Sequence, residues 1–162
     1  MILPGFEQYV GLESDIVWTP RKVAQKIVEH FMPAGCILDP CRGEGAFTEF
    51  LPRAFWCELT ENKDFFEWWM PVDWIIGNPP YSNFSKFLRH SFLVAQEIVY
   101  LIPINKCFSS DCLLREINLW GGIREILYIG DGESLNWPLQ GYCIGAVNFS
   151  KGYRGGIRFS GL

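Results

Sequence analysis

Apolar positions along the chain switch between two spacings. From Thr19 onward, Ala24, Ile27, Val28 and Phe31 recur every three or four residues, which places them on one stripe of a helix. Thr19 can cap that helix, Pro20 suits its first turn, and Pro33 and Gly35 stop it. Residues 36–39 are a short apolar run ending in a carboxylate and read as a buried strand; Gly43 and Gly45 follow, then a short helix to about Leu51. Residues 54–57, ending next to Glu58, and 72–76 read as two further strands. The latter runs straight into Gly77-Asn78-Pro79-Pro80-Tyr81. Ser82 can cap the next helix, whose face carries Phe84, Phe87, Leu88, Ser91, Phe92 and Ala95. A buried strand over 97–102, a helix over 109–119, a closing antiparallel pair over 123–129 and 142–149, and a last strand over 156–160 complete the pattern. Residues 1–18 read as irregular.

Strands alternating with helices predict an α/β fold: a mostly parallel sheet between two helical layers, closed by a C-terminal antiparallel hairpin. No repeat, low-complexity tract or linker divides the chain, so residues 1–162 are expected to form one domain. Ligands of such sheets bind at the carboxyl ends of the strands. The polar and glycine-rich segments here follow the strands at Asp39, Glu58 and Asn78, so one crevice can collect all three.

Composition narrows the partners. The chain has 162 residues, 49% of them hydrophobic, and a formal charge of -4, which argues against a protein that coats nucleic acid by charge alone but leaves local contact open. No stretch reaches the roughly 18 apolar residues of a membrane helix, and the N-terminus has no basic start of a signal peptide. A cytoplasmic location without membrane contact is therefore expected. The six cysteines include no Cys-x-x-Cys pair, so no metal site is expected and free thiols in a reducing cytosol are.

Two motifs carry chemistry. In Asp39-Pro40-Cys41-Arg42-Gly43-Glu44-Gly45-Ala46-Phe47, two glycines after a strand let the backbone approach a ligand and turn into a helix. Taken alone, this segment reads equally as a cofactor cradle or as a steric turn. In Asn78-Pro79-Pro80-Tyr81, consecutive prolines end the strand and fix the backbone. That rigidity can aim the Asn78 side-chain carbonyl and the Pro79 backbone carbonyl at one point, which suits an amino group with two N–H donors. Tyr81 can offer a flat surface to a base.

The two motifs together resemble the amino-methyltransferases that use S-adenosylmethionine, above all the N6-adenine DNA methyltransferases, including small phage and prophage members. The resemblance spans roughly residues 17–150. It implies a Rossmann-like class I methyltransferase sheet and transfer of a methyl group to adenine N6 in DNA, with the base flipped or unpaired. It places Thr19 and Pro20 near the methionine part of the cofactor, and Asp39, Pro40, Gly43, Gly45 and Phe47 in the first cofactor motif. It sets Glu58 at the ribose hydroxyls, Asp64 at the cofactor's adenine amino group with Phe65 packed on that ring, and Asn78 between cofactor and target. Asn78, Pro79, Pro80 and Tyr81 would carry catalysis. Tyr81, with Trp137 or Tyr142, would clamp the target base. Apart from the resemblance, Lys86, Arg89 and His90 fall at i, i+3 and i+4 on the helix after the motif, a spacing that reads equally as a face toward the target's phosphates or as a solvated helix face. The cell implied is bacterial or phage-infected.

The sequence departs from that pattern in three places. Glu58 and Asp64 lie only six positions apart, so the sheet is expected to be shortened between its second strand and the catalytic strand. Arg42 stands where a small residue is commoner. No room remains for a target-recognition domain, which makes a separate specificity subunit a candidate partner. The alternatives are the same chemistry on RNA or another planar amino group, and a non-catalytic cofactor-binding subunit.

Overall fold

The computed structural model describes residues 17–137 and 141–161; most of the irregular N-terminal segment expected over 1–18 lies outside them. Helix α1 (Arg21–Phe31) is followed by strands β1 (Ile37–Asp39), β2 (Phe55–Trp56) and β3 (Val72–Gly77). Helix α2 (Phe84–Val94), strand β4 (Ala95–Pro103), helix α3 (Asp111–Trp120), and strands β5 (Gly121–Asp131), β6 (Cys143–Lys151) and β7 (Arg158–Ser160) complete it. Among the described residues one seven-stranded sheet runs in the order β2-β1-β3-β4-β6-β5-β7. The β2, β1, β3 and β4 pairings are parallel, β6 is antiparallel to both β4 and β5, and β7 returns parallel to β5.

The central strands β3 and β4 are mostly apolar because both faces of the sheet are covered, with Asp73, Gln96 and Glu97 confined to their first residues. Along β4 the side chains alternate between two cores. Ile98, Tyr100 and Ile102 face the layer of α2 and α3, with Phe84, Leu88, Leu113 and Ile117; Val99 and Leu101 face α1, with Ala24 and Ile27. This is the expected three-layer α/β sheet. It is shortened where the Glu58–Asp64 spacing indicates: between β2 and β3 the chain makes only two 3-10 turns, Leu59–Glu61 and Phe65–Glu67.

Several local expectations are corrected. Thr19 does not cap α1: Pro20 holds that position with no side-chain cap bond, its carbonyl accepting from Val23 and Ala24, because the Thr19 hydroxyl is engaged by Asn78. The segment after Gly45 is a run of turns instead of a regular helix, mixing Glu49 N–H to Gly45 O (3.0 Å) with Phe50 N–H to Phe47 O (3.1 Å). Gly45 enters it at φ +84°, and Pro52 bars continuation from the other end. Ser82 does not cap α2 either. The prolines pass directly into a 3-10 turn at Tyr81–Asn83, fixed by Asn83 N–H to Pro80 O (3.0 Å), and the helix begins at Phe84. All six cysteines are free thiols.

Candidate active site

Thr19, Pro40, Gly43, Phe47, Glu58, Asp64, Phe65, Asn78, Pro79 and Pro80 line one cavity of about 450 Å³ at the carboxyl ends of β1, β2 and β3. That is the size of a small-molecule site. The floor is built by close approach of β1 and β3. A Cβ on Gly77 would lie 2.9 Å from Pro40 Cδ and 3.0 Å from Asp39 Oδ1, so only glycine lets the two strand ends meet. Gly43 (φ +53°) turns the chain away from β1, and a Cβ there would touch the Trp18 indole at 3.0 Å.

Asn78 is held at its amino end. Its Nδ2 donates to the Val17 carbonyl (2.8 Å) and to Thr19 Oγ1 (3.1 Å). A backbone carbonyl only accepts, so the amino end of the amide must face it. The carboxamide oxygen is thereby turned the other way, and among the described residues it has no hydrogen-bond partner. An unpartnered buried acceptor is costly, and such groups mark places where a ligand donor completes the set.

Asp39 presents a second such acceptor, next to Pro40 at the floor and not in the lining itself. It is 1% exposed; Oδ1 accepts from Cys41 N–H at 3.1 Å, while Oδ2 has no partner among the described residues. Burial pushes its carboxyl up to about 7 against the pull of the Cys41 bond. A carboxyl so held gains from a cationic donor. Burial also raises the thiol of Cys41, which lies beside Asp39 with the Asn78 backbone N–H pulling the other way, and pushes Cys57 to about 12. Neither cysteine is a thiolate nucleophile at neutral pH.

Glu58 and Asp64 organise the opposite wall. Glu58 Oε2 accepts from Gly43 N–H (2.8 Å), and Oε1 accepts from Thr60 N–H (3.2 Å) and Thr60 Oγ1 (2.9 Å), which ties the glycine turn to the turn after β2. Asp64 Oδ1 caps the second 3-10 turn through Phe66 N–H at 2.9 Å. Phe65 is 3% exposed, stacked on Phe87 at 5.3 Å. The buried acceptor of Asp39, the glycine cradle, the Glu58 carboxylate and an aromatic wall fit a zwitterionic nucleoside such as S-adenosylmethionine.

Other expected residues lie elsewhere. Pro20 and Gly45 shape the entries to α1 and to the turn run, and neither lines the cavity. Tyr81 is 4% exposed in the core beneath α2 and does not line the cavity. Lys86 and Arg89 line a separate shallow groove with Phe66, His90 and Leu93, and His90 is buried instead of facing solvent. Trp137 is 7% exposed in the core on the α1 side, and Tyr142 is exposed just before β6; neither lines the cavity. Sequence reasoning missed Trp18, Thr60 and Lys63 as cavity-lining residues. Trp18 adjoins the Thr19-Pro20 pair and is 55% exposed, a signal that becomes legible only once the strap across Asn78 is seen.

No protein-family model and no curated protein matches the sequence significantly. Solved structures do match in fold. A Listeria monocytogenes protein assigned as a class I S-adenosylmethionine-dependent methyltransferase aligns over 99% of this chain and 70% of its own, at 13% identity and a TM-score of 0.69. The methyltransferase subunit of a type I restriction-modification system from Streptococcus thermophilus aligns over 90% of this chain and 48% of its own, at 13% identity and a TM-score of 0.63. A Pyrococcus horikoshii protein assigned as an RNA methyltransferase aligns over 88% and 91%, at 14% identity and a TM-score of 0.57. The chain has the fold of the class I S-adenosylmethionine-dependent methyltransferases.

Proposed function

We propose that the protein is an S-adenosylmethionine-dependent methyltransferase acting on the N6 amino group of adenine in DNA. The observation that carries the reading is the Asn78 amide, whose donors are consumed by Val17 and Thr19 and whose acceptor is left bare beside Pro79. An exocyclic amino group offers two N–H donors, and Asn78 Oδ1 and the Pro79 carbonyl would accept one each. Held so, the nitrogen lone pair is drawn out of conjugation with the ring as the N–C bond forms, and the surplus proton leaves to solvent. When bound, the cofactor supplies the methyl group on a sulfonium that carries its own leaving group. Asp39 would take the cofactor's ammonium, Glu58 its ribose hydroxyls, and Asp64 with Phe65 its adenine.

The Streptococcus thermophilus neighbour is a subunit of a restriction-modification system, which is in keeping with DNA as substrate and with a partner subunit; this chain spans 48% of that subunit's length. Tritiated-methyl transfer to unmethylated DNA, with RNA and protein pools run beside it, tests the reading. Label should enter N6-methyladenine in DNA, and Asn78→Ala should lose at least about 100-fold in rate. Equal transfer by Asn78→Ala, or label in RNA or protein alone, would overturn it.

A further inference from the structure

Trp18 lines the cavity, and the roles assigned so far leave it unused. The other rings of the lining belong to the core: Phe47, Phe65 and Phe87 are buried, and Phe66 packs against them, whereas Trp18 is 55% exposed. It is nevertheless held. Its two chain neighbours both bond Asn78 Nδ2, the Val17 carbonyl at 2.8 Å and Thr19 Oγ1 at 3.1 Å, so its backbone is pinned at the Asn78 amide. Its indole reaches the glycine turn, where a Cβ on Gly43 would meet Cζ3 at 3.0 Å and Cε3 at 3.5 Å. Gly43 N–H in turn donates to Glu58 Oε2 at 2.8 Å. Trp18 therefore bridges the Asn78 end of the cavity and the turn that holds Glu58.

We propose that the Trp18 indole recognises the positive charge of the cofactor's sulfonium, so that the site favours S-adenosylmethionine over the neutral thioether left after transfer. This role rests on the methyltransferase reading of the cavity and adds to it a discrimination between substrate and product. The position follows from the cofactor's own covalent order. Its sulfur lies between the ammonium given to Asp39 and the ribose given to Glu58, and its methyl must face the amine at Asn78. A sulfur that meets all three conditions sits between the Gly43–Glu58 turn and Asn78, the interval that Trp18 bridges. An indole attracts a cation through its ring quadrupole, more strongly than the other aromatic side chains, and the attraction grows as water is excluded. Nearby carboxylates are engaged or open to water: Glu58 accepts from Gly43 and Thr60, Glu61 pairs with Arg42, and Glu44 is exposed. Trp18 loses its attraction once the S–CH3 bond has broken, with the electron pair left on sulfur, the methyl carbon on the amine nitrogen and the surplus proton in solvent.

The test is calorimetry of S-adenosylmethionine and of S-adenosylhomocysteine with the full chain and with Trp18→Phe, Trp18→Leu, Trp18→Ala and Glu44→Gln. The readout is the ratio of the two affinities; both ligands need the folded site, so the ratio does not depend on the folded fraction. Trp18→Ala should lower the preference for the sulfonium about ten-fold, and Trp18→Leu, which keeps an apolar cover without a π-face, should lower it as far. Trp18→Phe should keep most of it, and Glu44→Gln should leave it as in wild type. A ratio unchanged in Trp18→Leu and Trp18→Ala overturns the proposal, including the case in which both ligands weaken equally because the indole is only an apolar cover. So does a ratio that falls in Glu44→Gln and not in Trp18→Leu. A wild type that binds neither ligand overturns the methyltransferase reading instead, so the two failures are distinguishable.

Discussion

Replacing Asp39 with asparagine isolates the charge at the tip of β1. The side chain is 1% exposed, and burial, set against one bond from Cys41, moves its carboxyl from 3.8 to about 7. A carboxyl that holds its proton more tightly when folded makes the native state bind more protons than the unfolded chain between about pH 4 and 7. Stability then falls as pH rises through that window and levels off above about 7. A shift of about three units at about 1.36 kcal/mol each gives a ceiling near 4 kcal/mol. The substituted carboxamide keeps the oxygen that Cys41 uses and carries no charge. In urea unfolding, wild type and Asp39→Asn should therefore differ little at about pH 4, and the variant should be the more stable by up to about 4 kcal/mol at about pH 8. Parallel stability curves across that range, or a variant less stable at its upper end, would refute the reasoning. The same carboxyl should also report on the cofactor. If its ammonium seats on Asp39, binding at about pH 7 should release about half a proton, read from calorimetry in buffers of different ionisation enthalpy, and Asp39→Asn should release none.

The other predictions concern the frame around the cavity. Gly77→Ala would put a Cβ 2.9 Å from Pro40 Cδ, and should cost about 1–3 kcal/mol in urea unfolding together with cofactor affinity. Thr19→Val removes one acceptor from Asn78 Nδ2 while the Val17 carbonyl remains; kcat should fall several-fold with cofactor affinity kept, measured by single-turnover transfer and calorimetry. Glu125 has a side chain 4% exposed and accepts from His30 Nε2 (2.7 Å), Ser160 Oγ (2.6 Å) and Arg158. Burial raises its carboxyl, but those bonds outweigh it and hold it at about 2. Their stabilisation is present above the usual 4.5 and lost as pH falls towards 2, and Glu125→Ala should cost about 1–3 kcal/mol at about pH 7 with faster amide exchange along β7.

The fold was legible where periodicity and punctuation agree. Continuous apolar runs mark the central strands to within a few residues, because strands covered on both faces leave no polar alternation to misread. The narrow spacing from Glu58 to Asp64 announces the shortened sheet. Errors gather where a side chain serves a distant partner. Thr19 reads as a cap by local rules, but its oxygen is taken by Asn78, 59 positions away. His90 shares a helical face with Lys86 and Arg89 by spacing, yet the Trp68 carbonyl and the rings of Phe65 and Phe66 draw it inward. Resemblance alone puts Trp137 and Tyr142 near the target; the core against α1 holds the first and solvent the second.

The shortened sheet also explains why the cavity's outer wall is charged. A parallel sheet that stops at β2 leaves an edge, and edges invite pairing with other chains. Here β2 is two residues long, and its Trp56 ring is covered by the Arg42 guanidinium at 4.4 Å and the Lys63 ammonium at 3.2 Å from the ring centre. Arg42 is held in turn by Glu61 at 3.3 Å. The residues that blunt the edge are thus the residues that line the cavity beside Glu58 and Asp64. It follows that Arg42→Ala should expose the edge of β2 and raise self-association before it alters the Asn78 end of the site, an order that light scattering and single-turnover transfer can separate.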